Sequence, residues 1–390
     1  MDLETVVING NHIPYLLCWF DGRKSHSYFI DSCNKNTALN DKKEANITNM
    51  ILKAMEDICK KKYKNYKIYL HNFHKFDGTF LIKHLAKIGY CTPQIYKGKL
   101  ISANFQLFDN KIEVTFLDSL LLLPASLSSL CKSFNIPISK GIFPFKLDNI
   151  NYKGPVPEYK YFTNLSNTEY EDYFKKYEDA KAVWDFREES IAYCTLDCTA
   201  LYYILVKFNK LIFDKFGLNI SKYPTLPSLA FSIFRTHYLV NKKDIKKDKE
   251  GNLKPTHSKI HMLSGKISED IRKSYTGGAV DMYIPKNIPG ELIHVYDVNS
   301  LYPSVMSNNK FPISAPTLFK GNILKDNPQA FGFFYCKITA PHNLLHPILQ
   351  THVKTNNGIR TIAPVGNWEG MYFSEELNNS LKFEYKFEVL

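Results

Sequence analysis

Asp2 and Glu4 stand two residues apart at the start of the chain, in Asp2-Leu3-Glu4-Thr5. On a strand, residues two apart share a face, so both carboxylates can reach one metal pair. Tyr193 and Asp197 are spaced i, i+4, which on a helix puts phenol and carboxylate on one face. Asp77 follows Phe76 and precedes Gly78, a few residues after the strand-like run Tyr66-Lys67-Ile68-Tyr69-Leu70. A further carboxylate, Asp297, ends the apolar run from Glu291, a pattern that predicts a buried strand delivering it to a sheet edge. Carboxylate oxygens are the ligands of hard divalent cations. Taken singly, each pattern also has an ordinary reading: a solvated Asp-x-Glu, a Phe-Asp-Gly turn, a surface Tyr/Asp pair, a strand ending in an Asp turn.

In combination they resemble something more specific. Tyr296-Asp297-Val298-Asn299-Ser300-Leu301-Tyr302-Pro303-Ser304 resembles the first polymerase motif of family B DNA polymerases. Tyr275-Thr276-Gly277-Gly278 is similar to the Tyr-x-Gly-Gly loop of the protein-primed members. Upstream, Asp2-Leu3-Glu4-Thr5, the segment His71 to Gly78 and Tyr193-Cys194-Thr195-Leu196-Asp197 resemble the three proofreading-exonuclease motifs, in the family's order. Phe116-Leu117-Asp118-Ser119-Leu120 resembles the family's Asp-Ser-Leu strand.

The resemblance implies two sites. At the first, Asp2, Glu4, Asp77 and Asp197 would hold two Mg²⁺ or Mn²⁺ ions, one activating a water and the other stabilising the leaving 3′-oxygen, with Tyr193 orienting the water. Thr5, Asn72, Phe76, Ser119 and Leu120 would contact a single-stranded 3′ end; a helix cap is the plainer role for Ser119, and a core position for Phe76. At the second, Asp297 and the Val298 carbonyl would serve metals, and Ser300 and Leu301 would face triphosphate oxygens. Tyr302 would lie under the incoming sugar. Tyr275, Gly277 and Gly278 would meet the DNA strand. A catalytic lysine is expected too, among several between Lys140 and Lys181.

These sites require an α/β and α+β chain: a ribonuclease H-like exonuclease domain with four acidic ligands over 1–220, then a partial family B palm. The palm would start over 221–312, with its first helix between Pro224 and Tyr238. Residues 313–390 would begin the insertion of the protein-primed type, with a strand-turn-helix from Gly366 to Leu377, Ser374 capping the helix and Leu377 turned inward. Asn46 to Lys60 has helical apolar spacing, and a long helix from Phe186 to about Phe208 would carry Tyr193 and Asp197. The Lys- and Tyr-rich stretch from Asn151 to Tyr177 reads as a surface excursion, and the polar segment from Asn241 to His261 as an exposed linker. The later polymerase motifs, Lys-x-x-x-Asn-Ser-x-Tyr-Gly and Asp-Thr-Asp, do not follow Asp297. We therefore expect no polymerisation from this polypeptide alone. Asp2 follows Met1 directly, so ladder hydrogen bonds beside Asp2 and Glu4 are expected to be lost and the ligands to fray.

Composition is compatible with this. The 390 residues are 44% hydrophobic, enough for two or three domains. A net charge of +12 suits a polyanionic partner. The implied partners are DNA (a single-stranded 3′ end and a primer-template), deoxynucleoside triphosphates and, for a full-length ancestor, a terminal protein. Only five of the 50 basic residues are Arg, and Lys, Asn, Ile, Phe and Tyr abound, pointing to an A/T-rich genome. A mitochondrial protein encoded there or on a linear plasmid is favoured, with a cytoplasmic linear plasmid or virus as the alternative. Eight scattered cysteines form no Cys-x-x-Cys pair and read as reduced thiols. The apolar runs reach only strand length and no leader is evident, so no membrane partner is expected. The competing reading is a non-catalytic remnant of a decayed polymerase gene that binds single-stranded DNA by stacking and charge.

Overall fold

The structure, a computed structural model, describes residues 1–30, 40–138, 141–163, 165–247, 250, 253–257, 262–280, 282–313, 315–356 and 358–390. Cys33, Lys140 and part of the lysine-rich run before Glu250 lie outside them. The chain divides into two compact units, Met1–His257 and Ser258–Leu390.

The first unit opens with the antiparallel strands β1 (Asp2–Ile8), β2 (Asn11–Phe20) and β3 (Ser25–Phe29). After α1 (Asn40–Ile58) come β4 (Lys67–Leu70), α2 (Asp77–Ile88), β5 (Gly89–Tyr96), β6 (Lys99–Leu107) and β7 (Glu113–Asp118). The last four strands form a mixed sheet ordered β4-β7-β6-β5, with β4 and β7 parallel. The Met1 amino group donates to the Tyr69 carbonyl at 3.0 Å, which ties the start of β1 to β4. The expectation of fraying ligands is corrected here. Asp2 is already opposite Cys18, and pairing continues to Ile8. The register slips between Glu4 and Thr5, where Pro14, which has no N–H to give, stands opposite Thr5.

The unit continues through α3 (Leu127–Ser133), β8 (Lys153–Gly154), α4 (Asn167–Asp179), β9 (Trp184–Asp185), α5 (Phe186–Phe216) and α6 (Leu226–His237). The hairpin β10 (Val240–Lys247) and β11 (Leu253–His257) ends it. The segment expected as an exposed linker from Asn241 is thus a paired hairpin: its alternation was hidden by lysines, but the two runs share a ladder. The stretch from Asn151 is mostly exposed, as expected of a surface excursion, and α4 has no fully buried residue, yet it is ordered and anchored. Ser166 and Glu169 form a reciprocal capping box for α4, and Tyr170, Tyr173 and Tyr177 pack on the main core.

The helix α5 is longer than expected. Asp185 caps its start by accepting from the Arg187 and Glu188 amides, and Gly217 ends it in a left-handed turn at φ 64°. It is long and apolar enough to cross a membrane by length and composition, which corrects the reading that apolar runs reach only strand length. One face of it joins this protein's own core, where Cys194 and Cys198 cluster with Leu16 and Leu17 of β2, and Leu201, Ile204 and Leu205 with Leu130 of α3 and Leu229 of α6, while Val206, Leu211 and Phe213 are exposed. The helix α6, read as the opening of a palm, lies in this first unit.

The second unit carries α7 (Gly265–Arg272), α8 (Leu301–Asn308), β12 (Phe333–Ala340), the hairpin β13 (Thr351–Thr355) and β14 (Gly358–Ile362), β15 (Gly366–Phe373), α9 (Ser374–Ser380) and β16 (Lys386–Val389). Its sheet is ordered β15-β12-β16, and Cys336, Ile338, Tyr372, Leu377 and Tyr385 form its core. Leu377 turns inward as expected. Ser374 does not cap α9: it is the first helical residue, buried, its amide donating to the Gly332 carbonyl at 2.8 Å and its hydroxyl accepting from the Gly332 amide. The cap position is Phe373, whose amide donates to Glu376.

Candidate active site

Three elements bring the exonuclease-like residues together. On β1, Asp2 and Glu4 project to one face. Asp77 is the first residue of α2, buried beneath β1. Tyr193 and Asp197 descend from α5, which packs on β1 and β2. The ligand atoms of Asp2, Glu4 and Cys194 lie within 4.8 Å of one another. The Cys194 thiol sits 3.7 Å from the Asp2 carbonyl and 3.8 Å from its carboxylate.

Electrostatics binds the four carboxylates into one group. Burial pushes the Glu4 carboxyl well above its ordinary range, and the charges of Asp2, Asp197 and Asp77 push it further. Asp77 is raised by burial and then by Asp2. Asp2 is raised by burial too, opposed by the amino terminus. The Tyr193 phenol is driven up by burial and by Asp197, Glu4 and Asp2, and it is hydrogen-bonded to Asp197. It therefore stays protonated and can orient a water but not serve as a base.

The donor set fits divalent cations. Asp77 is only 2% exposed, and its Oδ1 is buried with no hydrogen-bond partner. Such an atom is costly unless something electropositive meets it. The charges that crowd Glu4 and Asp77 are relieved by bound positive charge. A cleft of about 190 Å³ opens at Tyr193 and Asp197, walled by Ser126, Leu127 and Ile138.

The strand-contacting candidates separate into two groups. Thr5 and Phe76 meet through His12: the Thr5 hydroxyl lies 2.9 Å from His12 Nδ1, and the His12 ring stands edge-on to Phe76 at 5.7 Å. Phe76 is half-buried against Phe80 as well. Sequence reading missed His12, which pairs with Val7 across the hairpin and belongs to none of the motifs. Asn72, at φ 77°, buries an Oδ1 that has no partner. Ser119 is fully buried, its hydroxyl donating to the Leu70 carbonyl at 2.9 Å and lying 3.0 Å from His71 Nδ1. It caps nothing; Asp118 caps the following turn through the Leu120 amide. Leu120 is half-buried beside it.

The polymerase-like residues belong to the second unit. Glu291 to Asp297 forms no strand, and Val295 and Tyr296 are each 89% exposed. This corrects the expected buried strand. A strand needs a neighbour to take its ladder hydrogen bonds, and the described strands of this unit pair with one another instead. The turn itself is present: Ser300 adopts φ 51° and precedes α8, whose first residues are Leu301 and Tyr302. Asp297, Val298 and Tyr302 are exposed. Tyr275 is exposed, while its carbonyl accepts from His352 Nε2 at 3.1 Å, which anchors the loop to β13. Gly277 and Gly278 have open space where a side chain would be.

Residues 57–390 match the family model described as DNA polymerase type B, organellar and viral. A probable DNA polymerase of Neurospora intermedia is 40% identical over 361 residues, covering 87% of this chain and 35% of the relative. One from Ascobolus immersus is 35% identical over 402 residues, covering 100% of this chain and 31% of the relative. The chain thus spans about a third of the length of these curated relatives. A DNA polymerase of Bacillus phage Nf is 27% identical over 66% of this chain and 39% of its own. Among solved structures, phi29 DNA polymerase complexed with primer-template DNA and incoming nucleotide substrates aligns with a TM-score of 0.59 at 18% identity. That alignment covers 99% of this chain and 58% of the other, and shows the same fold. The chain belongs to the organellar and viral type B DNA polymerases.

Proposed function

We propose that this chain is the exonuclease-bearing portion of a protein-primed type B DNA polymerase, and that its first unit hydrolyses single-stranded DNA from the 3′ end. The observation that carries this reading is the convergence of Asp2, Glu4, Asp77 and Asp197 from β1, α2 and α5 around one buried, mutually repelling carboxylate group with Tyr193 beside it. These four carboxylates would hold two Mg²⁺ or Mn²⁺ ions, which when bound supply an activated water and charge stabilisation at the leaving oxygen. Tyr193, fixed by Asp197, orients the water at the scissile phosphorus. Thr5, Asn72 and Phe76 hold the terminal nucleotides, and Ser119 supports the loop that presents them. Hydrolysis breaks the bond between phosphorus and the 3′-oxygen, leaving a nucleoside monophosphate and a new 3′ hydroxyl. For the expected lysine, Lys146 is favoured: it follows Phe145, whose ring meets Tyr193 edge-on at 5.4 Å, whereas Lys153 is paired with Asp185 and Lys160 with Glu158.

The polymerase role attaches to the second unit. Asp297 and Val298 would serve the metals, and Ser300, Leu301 and Tyr302 the deoxynucleoside triphosphate. Tyr275, Gly277 and Gly278 would meet the primer-template strand, with a terminal protein as priming partner. We assign 1–220 to the exonuclease, 221–312 to the start of the palm and 313–390 to the insertion that follows its first motif. Action in a mitochondrion, from an organelle or linear-plasmid gene, fits the A/T-biased composition. The test is degradation of a 5′-labelled single-stranded oligonucleotide by the parent and not by Asp77→Ala. Salt-sensitive binding without degradation would favour the DNA-binding remnant instead.

A further inference from the structure

The loop between β4 and α2 presents Asn72, Phe76 and Asp77 and is turned locally, the Lys75 and Phe76 amides donating to the Asn72 carbonyl at 3.2 and 3.0 Å. Asn72 adopts a left-handed conformation, and Phe73, His74 and Lys75 separate it from Phe76. A carboxylate from another strand adds the long-range tie that joins this loop to the sheet. Asp118, at the end of β7, has no solvent exposure. Its Oδ1 accepts from the Asn72 amide at 3.1 Å and from the Leu120 amide at 2.8 Å. Its Oδ2 accepts from the His74 amide at 2.8 Å and from His74 Nδ1 at 2.6 Å. The His74 side chain is itself only 7% exposed.

Here four N–H groups point at the two carboxylate oxygens. Two of those donors belong to the loop backbone and one to the Ser119-Leu120 turn. One side chain therefore sets the register between the two segments to which single-strand contact is assigned. His74 closes the fourth position and keeps water off the carboxylate. The unpartnered Oδ1 of Asn72, beside this clasp, is then held ready for a ligand and not free to collapse onto the loop.

We propose that Asp118 and His74 are positioning residues that clamp the Asn72 loop to the Ser119-Leu120 turn and so set the grip on a single-stranded 3′ end. This rests on the exonuclease reading for its ligand, and it goes beyond that reading in naming two residues that touch neither metal nor DNA. Removing the clasp should weaken the grip more than the chemistry. Loss of one hydrogen bond to a charged group corresponds to roughly a tenfold change.

The experiment uses the full 390-residue chain with His74→Leu, His74→Asn and Asp118→Asn, and Asp77→Ala as the chemistry control. Asparagine at 74 retains an N–H donor near the position of Nδ1; leucine does not. With a 5′-labelled single-stranded oligonucleotide and Mn²⁺, His74→Leu should raise KM about tenfold with little change in kcat, and His74→Asn should recover most of it. A fall in kcat with KM unchanged, or no recovery in His74→Asn, would overturn the clasp. Binding of the same oligonucleotide in EDTA separates the two hypotheses. If the parent does not degrade DNA, the exonuclease reading fails alone. A weaker Kd for His74→Leu, restored in His74→Asn, would still support the clasp, and equal Kd values across the parent and both variants would overturn it. Asp118→Asn should match or exceed His74→Leu; the His74 pair decides the matter if that variant does not fold.

Discussion

The Tyr193 hydroxyl is hydrogen-bonded to the Asp197 carboxylate one turn further along α5, and Glu4 faces both from β1. The pair links a helix face to a strand face at the point where the proposed exonuclease would orient its water. Removing only the hydroxyl, in Tyr193→Phe, should leave folding intact and lower single-strand degradation about 10²-fold, the scale at which a positioned proton-handling group contributes. Gly141→Ala should imitate it. A β-carbon there would fall 2.8 Å from Tyr193 Cδ2 and displace the ring. Single-turnover rates on a labelled oligonucleotide check both.

The buried carboxylates make metal-free stability depend on pH. Glu4 is raised above its ordinary 4.5, so the folded state holds a proton that the unfolded chain releases. Its contribution is complete below pH 4.5 and is lost as pH rises through the elevated folded value. In EDTA, the melting temperature should therefore fall as pH rises above 4.5 and level off once the elevated folded value is passed. Mn²⁺ should restore it most at the higher pH, where the ligands are most ready to ionise. Glu4→Gln should flatten the EDTA profile. A pH-independent melting temperature in EDTA would contradict the buried group.

Gly78 is required by contact and not by backbone conformation. A β-carbon would lie 2.5 Å from the Phe73 carbonyl oxygen and 2.7 Å from Leu100 Cδ2. The carbonyl accepts the Gly78 amide at 2.8 Å and cannot retreat without opening the first turn of α2. Gly78→Ala should cost about 1–3 kcal/mol, the range for overpacking, and should also reduce exonuclease activity by shifting Asp77. Thermal denaturation and the oligonucleotide assay together distinguish this from a neutral turn.

The four candidate carboxylates were legible through three motifs in the family's order, and the spacing of each agrees with its element. Asp2 and Glu4 follow the strand repeat, Tyr193 and Asp197 the helix repeat, and Asp77 the junction after an apolar strand. Asp118 was visible only as part of a pattern, because its work is to accept backbone amides from a loop more than 40 residues away. No local spacing records such a bond. His12 escaped for the same reason. The opposite error occurred at Glu291 to Asp297. Its apolar run predicts a buried strand, but a strand is a property of two segments, and none of the described strands pairs with it. The hairpin of β10 and β11 was hidden because lysine-rich runs read as linker until pairing is seen.

The most direct test of the account is a time course of a 5′-labelled single-stranded oligonucleotide with the purified chain in Mg²⁺ or Mn²⁺, with Asp197→Ala alongside. A ladder of progressively shorter products is expected from the parent and none from the variant. No ladder from the parent, with salt-sensitive binding retained, would contradict it and leave a DNA-binding chain in which the four carboxylates converge without chemistry.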